Sequence, residues 1–466
     1  MILEQFELSQ WLFIKLVALC YFFAFFSLYR QVMGLYGSEG IMPIRELMEK
    51  MEAGIKKQRY YLIPTVFWWR SDDKALKGAA LLGVLFSQLV FFNVAPVVFL
   101  LALFIIYLSF IVVGYPFLNY QWDVLLLEAG LLSVVMAIMA PPPTFAIYWA
   151  WFLTFRFLLS SGIVKLQSGC QQWRCFKAMQ FHFETQPLPN LGGYFAHLFL
   201  RGSTHFTTGV VYFFEILVPL LLLGGEPLQF YGAVLSIFFQ FLIIATGNYA
   251  FFNLLTIALC VPFFANSSLE WLRPLYSPLQ AFEPNLFLIV LTTAFSAFLL
   301  FLNVMMLIRQ FKRFPHFERI YEKIAHFHCV NNYGLFAVMT TVRNEIILEG
   351  SDDGKEWKEY QFYYKPGALN QAPKQIAPLQ PRLDWQMWFA ALSMRPHDGW
   401  WYRFTAKILK GERAVLELLK YNPFPEKPPQ HLRAHLYRYR FNSLSGLKDS
   451  GNFWVRTFVG TYWLSD

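Results

Sequence analysis

The sequence predicts an α-helical polytopic membrane bundle of about nine spans, followed by a C-terminal β-rich α+β soluble domain. Three observations carry that expectation. Apolar residues fill 56% of the 466 positions and charged residues only 15%, against about 45–50% and about 25% in soluble domains. Apolar runs long enough to cross about 30 Å of hydrocarbon recur throughout the first 308 positions. Charge is also uneven: 16 Lys/Arg and 15 Asp/Glu precede residue 309, whereas 23 and 15 follow from there. A disordered chain, a collagen and a secreted disulfide scaffold are excluded. The chain divides into a multi-span helical domain, 1–310, and a basic C-terminal domain, 315–466.

Candidate spans cover 11–29, 77–94, 96–114, 120–140, 145–167, 207–224, 229–247, 249–265 and 286–308. Pro141, Pro142 and Pro143 make a rigid stop after the fourth. Glu4 and Glu7 stand where a cleavable signal would be positive, so the first run is expected to remain as a span. Basic residues gather in the loop 30–76, at Arg30, Arg45, Lys50, Lys56, Lys57, Arg59, Arg70 and Lys74. They gather again beyond the last span, at Arg309, Lys312, Arg313, Arg319 and Lys323. With nine spans these regions share a side, which the lysine and arginine bias of loops makes cytoplasmic. The short opposite loops hold only Arg273.

Asp123 and Glu128 fall in the fourth span, Arg156 and Lys165 in the fifth, and Glu215 in the sixth. Each mid-membrane charge costs roughly 2.5–3.5 kcal/mol on insertion scales, so pairing is expected. The fourth and fifth spans are joined by a few residues and pack antiparallel, which brings Asp123 toward Lys165 and Glu128 toward Arg156. Two readings follow: salt bridges that hold a helical pair together, or a polar cavity that binds a ligand or moves a proton. Five residues separate Asp123 from Glu128, an angle of about 140° at 100° per residue, so they form no carboxylate dyad. Ser160, Ser161 and Gly162 permit close helix contact.

The polar loop 167–206 carries Cys170, Trp173, Cys175, His182, Glu184, His197 and His205. His182 and Glu184, two apart, would share a face on a strand but not on a helix. Cys170 and Cys175 could bridge in an oxidising compartment, and their spacing fits no usual zinc pattern. No metal or cofactor is expected.

In the tail, 335–350, 357–364, 432–442 and 453–462 read as strands. Ser351-Asp352-Asp353-Gly354 and Lys365-Pro366-Gly367 mark turns. Short helices are expected at 384–394 and 400–421, the first capped by Asp384. Trp385, Trp388, Trp400 and Trp401 with nearby arginines suit a membrane-facing or a protein-binding surface. The tail carries no nucleotide loop, no Gly-x-Ser-x-Gly and no nucleic-acid motif, and its basic charge suits lipid headgroups.

Several runs are familiar. Asn119-Tyr120-Gln121-Trp122-Asp123-Val124-Leu125-Leu126-Leu127-Glu128-Ala129-Gly130 resembles the lipase maturation factor family. So do the runs from Ser160 to Cys170, His182-Phe183-Glu184-Thr185-Gln186, and Thr246 to Asn253. Glu349 to Gly354, Pro381 to Ala391 and Asn422-Pro423-Phe424-Pro425 resemble its C-terminal domain. The resemblance covers most of the chain from about residue 115 onward. It implies a multi-pass protein of the endoplasmic reticulum, or of a bacterial inner membrane, that acts as a maturation or chaperone-like factor. Its clients would be secreted lipases or other exported proteins; lipase activity itself is not implied. The tail would face away from the cytoplasm, opposite to the charge bias, and Arg382, Asp384, Trp385 and Trp388 become candidates for client binding. Gly162-Ile163-Val164-Lys165-Leu166 is also distantly similar to the membrane domain of vitamin K-dependent carboxylases. That resemblance implies an alternative, a membrane enzyme or lipid-binding protein with Lys165 as base near Glu128.

Overall fold

A computed structural model describes residues 6–55 and 58–465; Glu4, Lys56 and Lys57 lie outside the described residues. Among those described, eight helices are long and apolar enough to cross a bilayer. They are α1 (Glu7–Tyr36), α2 (Asp73–Phe91), α3 (Pro96–Val113), α4 (Gln121–Ile138), α5 (Thr144–Gln167), α6 (Leu191–Leu221), α7 (Glu226–Thr246) and α9 (Leu286–Arg309). Local chemistry fixes their starts. Asp72 accepts the Ala75 N–H ahead of α2, and Asn285 accepts that of Leu288 ahead of α9. Pro227 opens α7, where its missing N–H costs nothing.

Two spans depart from expectation. The run 249–265 forms α8 (Phe252–Phe263), a shorter apolar helix of about 18 Å at 1.5 Å per residue. Helix α6 begins well before residue 207 and absorbs the second half of the polar loop, because Asn190 caps the Gly193 N–H and His197 finds Glu184 at 3.7 Å.

The ends of the bundle are distinct. Phe282 N–H donates to the Ile138 carbonyl at 2.9 Å, Tyr276 bonds Glu7, and Leu8 N–H reaches Asn266. These contacts gather the start of α1, the end of α4 and the segment after α8 at one end. At the other end Asn248 donates to the Lys374 carbonyl at 2.8 Å, Gln31 to that of Gln380 at 2.8 Å, and Arg403 pairs with Glu46 at 3.0 Å. Over the described residues the chain therefore passes nine times between the ends, once through the short α8, and the C-terminal domain lies opposite the start of α1.

That domain holds an antiparallel sheet of order β2-β1-β3-β4, with β1 at Arg343–Ser351, β2 at Lys358–Glu359, β3 at His431–Phe441 and β4 at Trp454–Leu464. Ile346 faces Leu436 and Tyr439 faces Arg456 across the ladders. After α10 (Pro315–Ile324), helices α11 (Arg382–Ala390) and α12 (Gly399–Leu409) fill the places expected for 384–394 and the first part of 400–421. The two N-terminal strands are shorter than expected. Residues 335–342 turn their polar groups to the bundle instead of a ladder, as in the 3.4 Å bond from Met339 N–H to the Cys170 sulfur. Asp384 does not cap α11: its carboxylate accepts the N–H groups of Tyr364 and Lys365 at 2.8 and 2.9 Å. The domain abuts α1 closely. A Cβ on Gly34 would lie 2.3 Å from the Ala414 carbonyl oxygen, so only glycine fits there.

Candidate functional site

Polar groups inside the bundle converge on its C-terminal end. Arg156 of α5 donates from Nη2 to Glu128 of α4 at 2.9 Å, from Nε to Asn303 of α9 at 2.9 Å, and from Nη1 to the Asn331 carbonyl at 2.7 Å. The second Glu128 oxygen accepts the Tyr333 hydroxyl at 2.6 Å and the Asn331 N–H at 3.3 Å. Both charges are buried and their bonding capacity is answered. The expected Glu128–Arg156 contact is present, and the stretch 331–333 completes it from outside the spans.

The other expected contact is replaced. Asp123 does not meet Lys165; it holds Arg382 of α11 through two bonds of 3.1 and 3.2 Å, and Arg382 also donates to the Phe117 carbonyl at 2.8 Å. Lys165 instead donates to Glu215 at 2.6 Å, to the Ser161 carbonyl at 3.0 Å and to the Leu335 carbonyl at 3.1 Å. The reason is local. Gly162 and Lys165, three apart, share a helix face, and a Cβ on Gly162 would meet Ile216 at 2.5 Å, so α6 rather than α4 lies on that face. Pro219 has no N–H for the Glu215 carbonyl four residues back. The helix widens there into a π-turn over Phe213–Leu217, with Val218 N–H bonding Phe213. Glu215 rides on that turn. With three acceptors around it, the Lys165 ammonium is committed as a donor, a poor arrangement for a base.

Beside this pair lies a cavity of about 330 Å³ between α5, α6, α7, α8 and the 335–336 stretch. Phe157, Trp173, Phe239 and Phe252 supply much of its wall. His182 faces it and contacts the Tyr249 hydroxyl at 3.2 Å, and Tyr249 donates to Gln186 at 2.8 Å. Burial, with the Lys165 charge beside it, pushes His182 down to about 4. An unfolded histidine takes its proton near 6.5, so the neutral fold is favoured above that pH and loses this contribution as pH falls toward 4. Asp384, pushed up to about 6 by burial against the N–H groups of Lys365 and Tyr364, contributes with the opposite sign. Thermal stability measured from pH 7 to pH 4 should fall less steeply in His182→Gln than in the wild type.

Comparison with known proteins matches residues 8–271 to the lipase maturation factor transmembrane domain and 329–464 to the lipase maturation factor C-terminal domain. The chain belongs to the lipase maturation factor family. Lipase maturation factor 2 of Xenopus tropicalis is 30% identical, with 94% of this chain and 79% of that protein covered. Human lipase maturation factor 1 is also 30% identical, covering 98% of this chain and 87% of its own length. No solved structure matches. The transmembrane-domain match and the apolar helices make this lipase maturation factor relative an integral multi-pass membrane protein.

Within this family member the loop residues scatter. His182 and Glu184 lie on one short helix, Met179–Thr185, and face apart: Glu184 accepts the Phe441 N–H at 2.8 Å, a strut to the sheet. Cys170 and Cys175 are free thiols, one half-buried and one exposed. No three His, Cys, Asp or Glu side chains gather as a metal site among the described residues. The tail candidates are corrected by burial: Arg382, Asp384, Trp385 and Trp388 lie inside, Trp385 against Trp122 and Trp388 donating to the Thr185 carbonyl at 2.9 Å. They bind the rest of this chain. Sequence reasoning missed Asn303, Asn331 and Tyr333 as partners, and Glu215 as the mate of Lys165. Nothing in the local sequence marks Arg382, 259 residues away, as the partner of Asp123.

Proposed function

We propose that this chain is a membrane-embedded maturation factor that assists exported proteins, lipases among them, as they fold on the extracytoplasmic side of the endoplasmic reticulum or a bacterial inner membrane. The observation that carries this reading is the fixed seat of the C-terminal domain. Arg382, Asn331, Tyr333 and Leu335 all reach charges of the bundle, so the sheet is held at a set place over the membrane. Its outer strand β4 is an edge with Val455, Phe458 and Leu464 about half exposed. A long apolar edge strand offers unpaired backbone groups and side chains to a partly folded partner. The names of the relatives, lipase maturation factors 1 and 2, supply the client class.

In cells with the gene deleted, the specific activity of exported lipase is expected to drop and to return with the wild-type chain. Phe458→Asp, an exposed change, should restore expression of the chain but not lipase activity. Unchanged lipase activity on deletion defeats the proposal. A C-terminal reporter is expected to be active only outside the cytoplasm. Since the basic loops favour the reverse orientation, a cytoplasmic reading would uphold the charge rule and sink the client reading.

A further inference from the structure

The cavity beside Lys165 has a wall that the contacts above leave unused. Asn253 of α8 is buried, and its Nδ2 donates to Gln240 of α7 at 2.9 Å. Its Oδ1 is buried too, with no hydrogen-bond partner among the described residues. A buried acceptor without a donor costs about 1–3 kcal/mol, and Asn253 lines the cavity. At the other side the lining passes between α6 and α7 and ends on exposed apolar residues: Leu200, Phe206, which is 74% exposed, and Leu242. Both helices bear outward apolar side chains along their length, among them Phe213, Leu217, Phe238 and Phe241, so this mouth opens on lipid. The volume lies within the roughly 300–1,000 Å³ of ligand pockets.

The charge state selects the ligand. Lys165 and Glu215 neutralise each other at 2.6 Å, and His182 is held neutral, so no uncompensated charge faces the cavity. An anionic or cationic head would enter without a counter-charge, an unfavourable transfer. A hydroxyl both donates and accepts, so it satisfies the Asn253 amide whichever of its polar atoms faces inward.

We propose that this cavity binds an uncharged, hydroxyl-bearing, single-chain membrane amphiphile, its hydroxyl on Asn253 and its chain leaving between α6 and α7. The occupant comes from the bilayer, because the mouth is framed by lipid-facing side chains. The site is separate from the β4 edge and does not depend on the client reading.

The test uses the purified full chain in lipid nanodiscs and a monoacylglycerol carrying a photoactivatable diazirine in its acyl chain. Label is expected in the peptides containing Phe206–Val211 and Leu242–Asn253, and unlabelled monoolein should compete it away. Asn253→Leu should weaken competition by about threefold to tenfold, the worth of one hydrogen bond. Val210→Trp, which puts an indole into the cavity from its α6 wall, should abolish the label; this second variant and the wild-type map decide the matter if Asn253→Leu does not fold. Label spread evenly over the lipid-facing helices, or unchanged in a folded Val210→Trp protein, overturns the proposal. So does competition by oleate or by a two-chain phosphatidylcholine as strong as that by monoolein.

Discussion

Replacing Arg382 with methionine is expected to destabilise the folded chain by about 3–5 kcal/mol, the cost of leaving a buried carboxylate without its partner. Asp123 is fully buried, and among the described residues it accepts, besides the Arg382 bonds, only the Tyr107 hydroxyl and the Tyr120 N–H. Those two donors stabilise a carboxylate but do not neutralise it. The measurement is the thermal midpoint and the monodisperse yield of the purified protein in detergent. Adding Asp123→Asn to the methionine variant removes the orphaned charge and should recover much of the loss, so the pair is non-additive. A single variant as stable as the wild type would show that Arg382 does not anchor the tail.

Arg156→Leu should be as costly, at about 3–5 kcal/mol. It strands Glu128 beside Tyr333 and takes a donor each from Asn303 and from the Asn331 carbonyl. Glu128→Gln keeps the shape and most hydrogen bonds but leaves the guanidinium uncompensated, and should fall between the wild type and Arg156→Leu. The double variant Glu128→Leu, Arg156→Leu should be milder than Arg156→Leu, because no charge is stranded, but not neutral, because Asn303, Asn331 and Tyr333 lose their partners. Equal stability of all three variants would mean that the pair contributes little to the fold.

Much of this architecture was legible because a bilayer enforces it. Length and apolarity had to be right for α1 through α7 and α9, and the runs that satisfied both became helices. Helix α8 is shorter than expected for a physical reason: Phe252, Leu255, Ala258 and Leu259 are apolar because protein surrounds them, and a window of sequence cannot tell that from lipid. The same distinction explains the charges. Glu128 and Arg156 sit on consecutive helices at matching depth, so antiparallel packing alone predicts their contact. Asp123 and Arg382 are 259 residues apart, and no periodicity encodes that meeting. Lys165 could have been assigned from Gly162 on its own face, had close approach of α6 been given more weight than chain proximity to α4. Strands β3 and β4 fall within two residues of the runs 432–442 and 453–462 expected for them. The first two were overextended because Gln361 pairs with Tyr421 outside the sheet and the stretch before Arg343 bonds the bundle.

Part of the cavity wall comes from the C-terminal side: Leu335 and Phe336 close it from the stretch that leads to the sheet, and the Leu335 carbonyl is also one of the three oxygens around Lys165. Occupancy of the chamber and attachment of the domain above it are therefore linked equilibria. Whatever factor a filled chamber adds to attachment, attachment returns to the affinity of the chamber. By the same reciprocity, a partner that drew the sheet away from the bundle would weaken binding of the amphiphile proposed for the chamber.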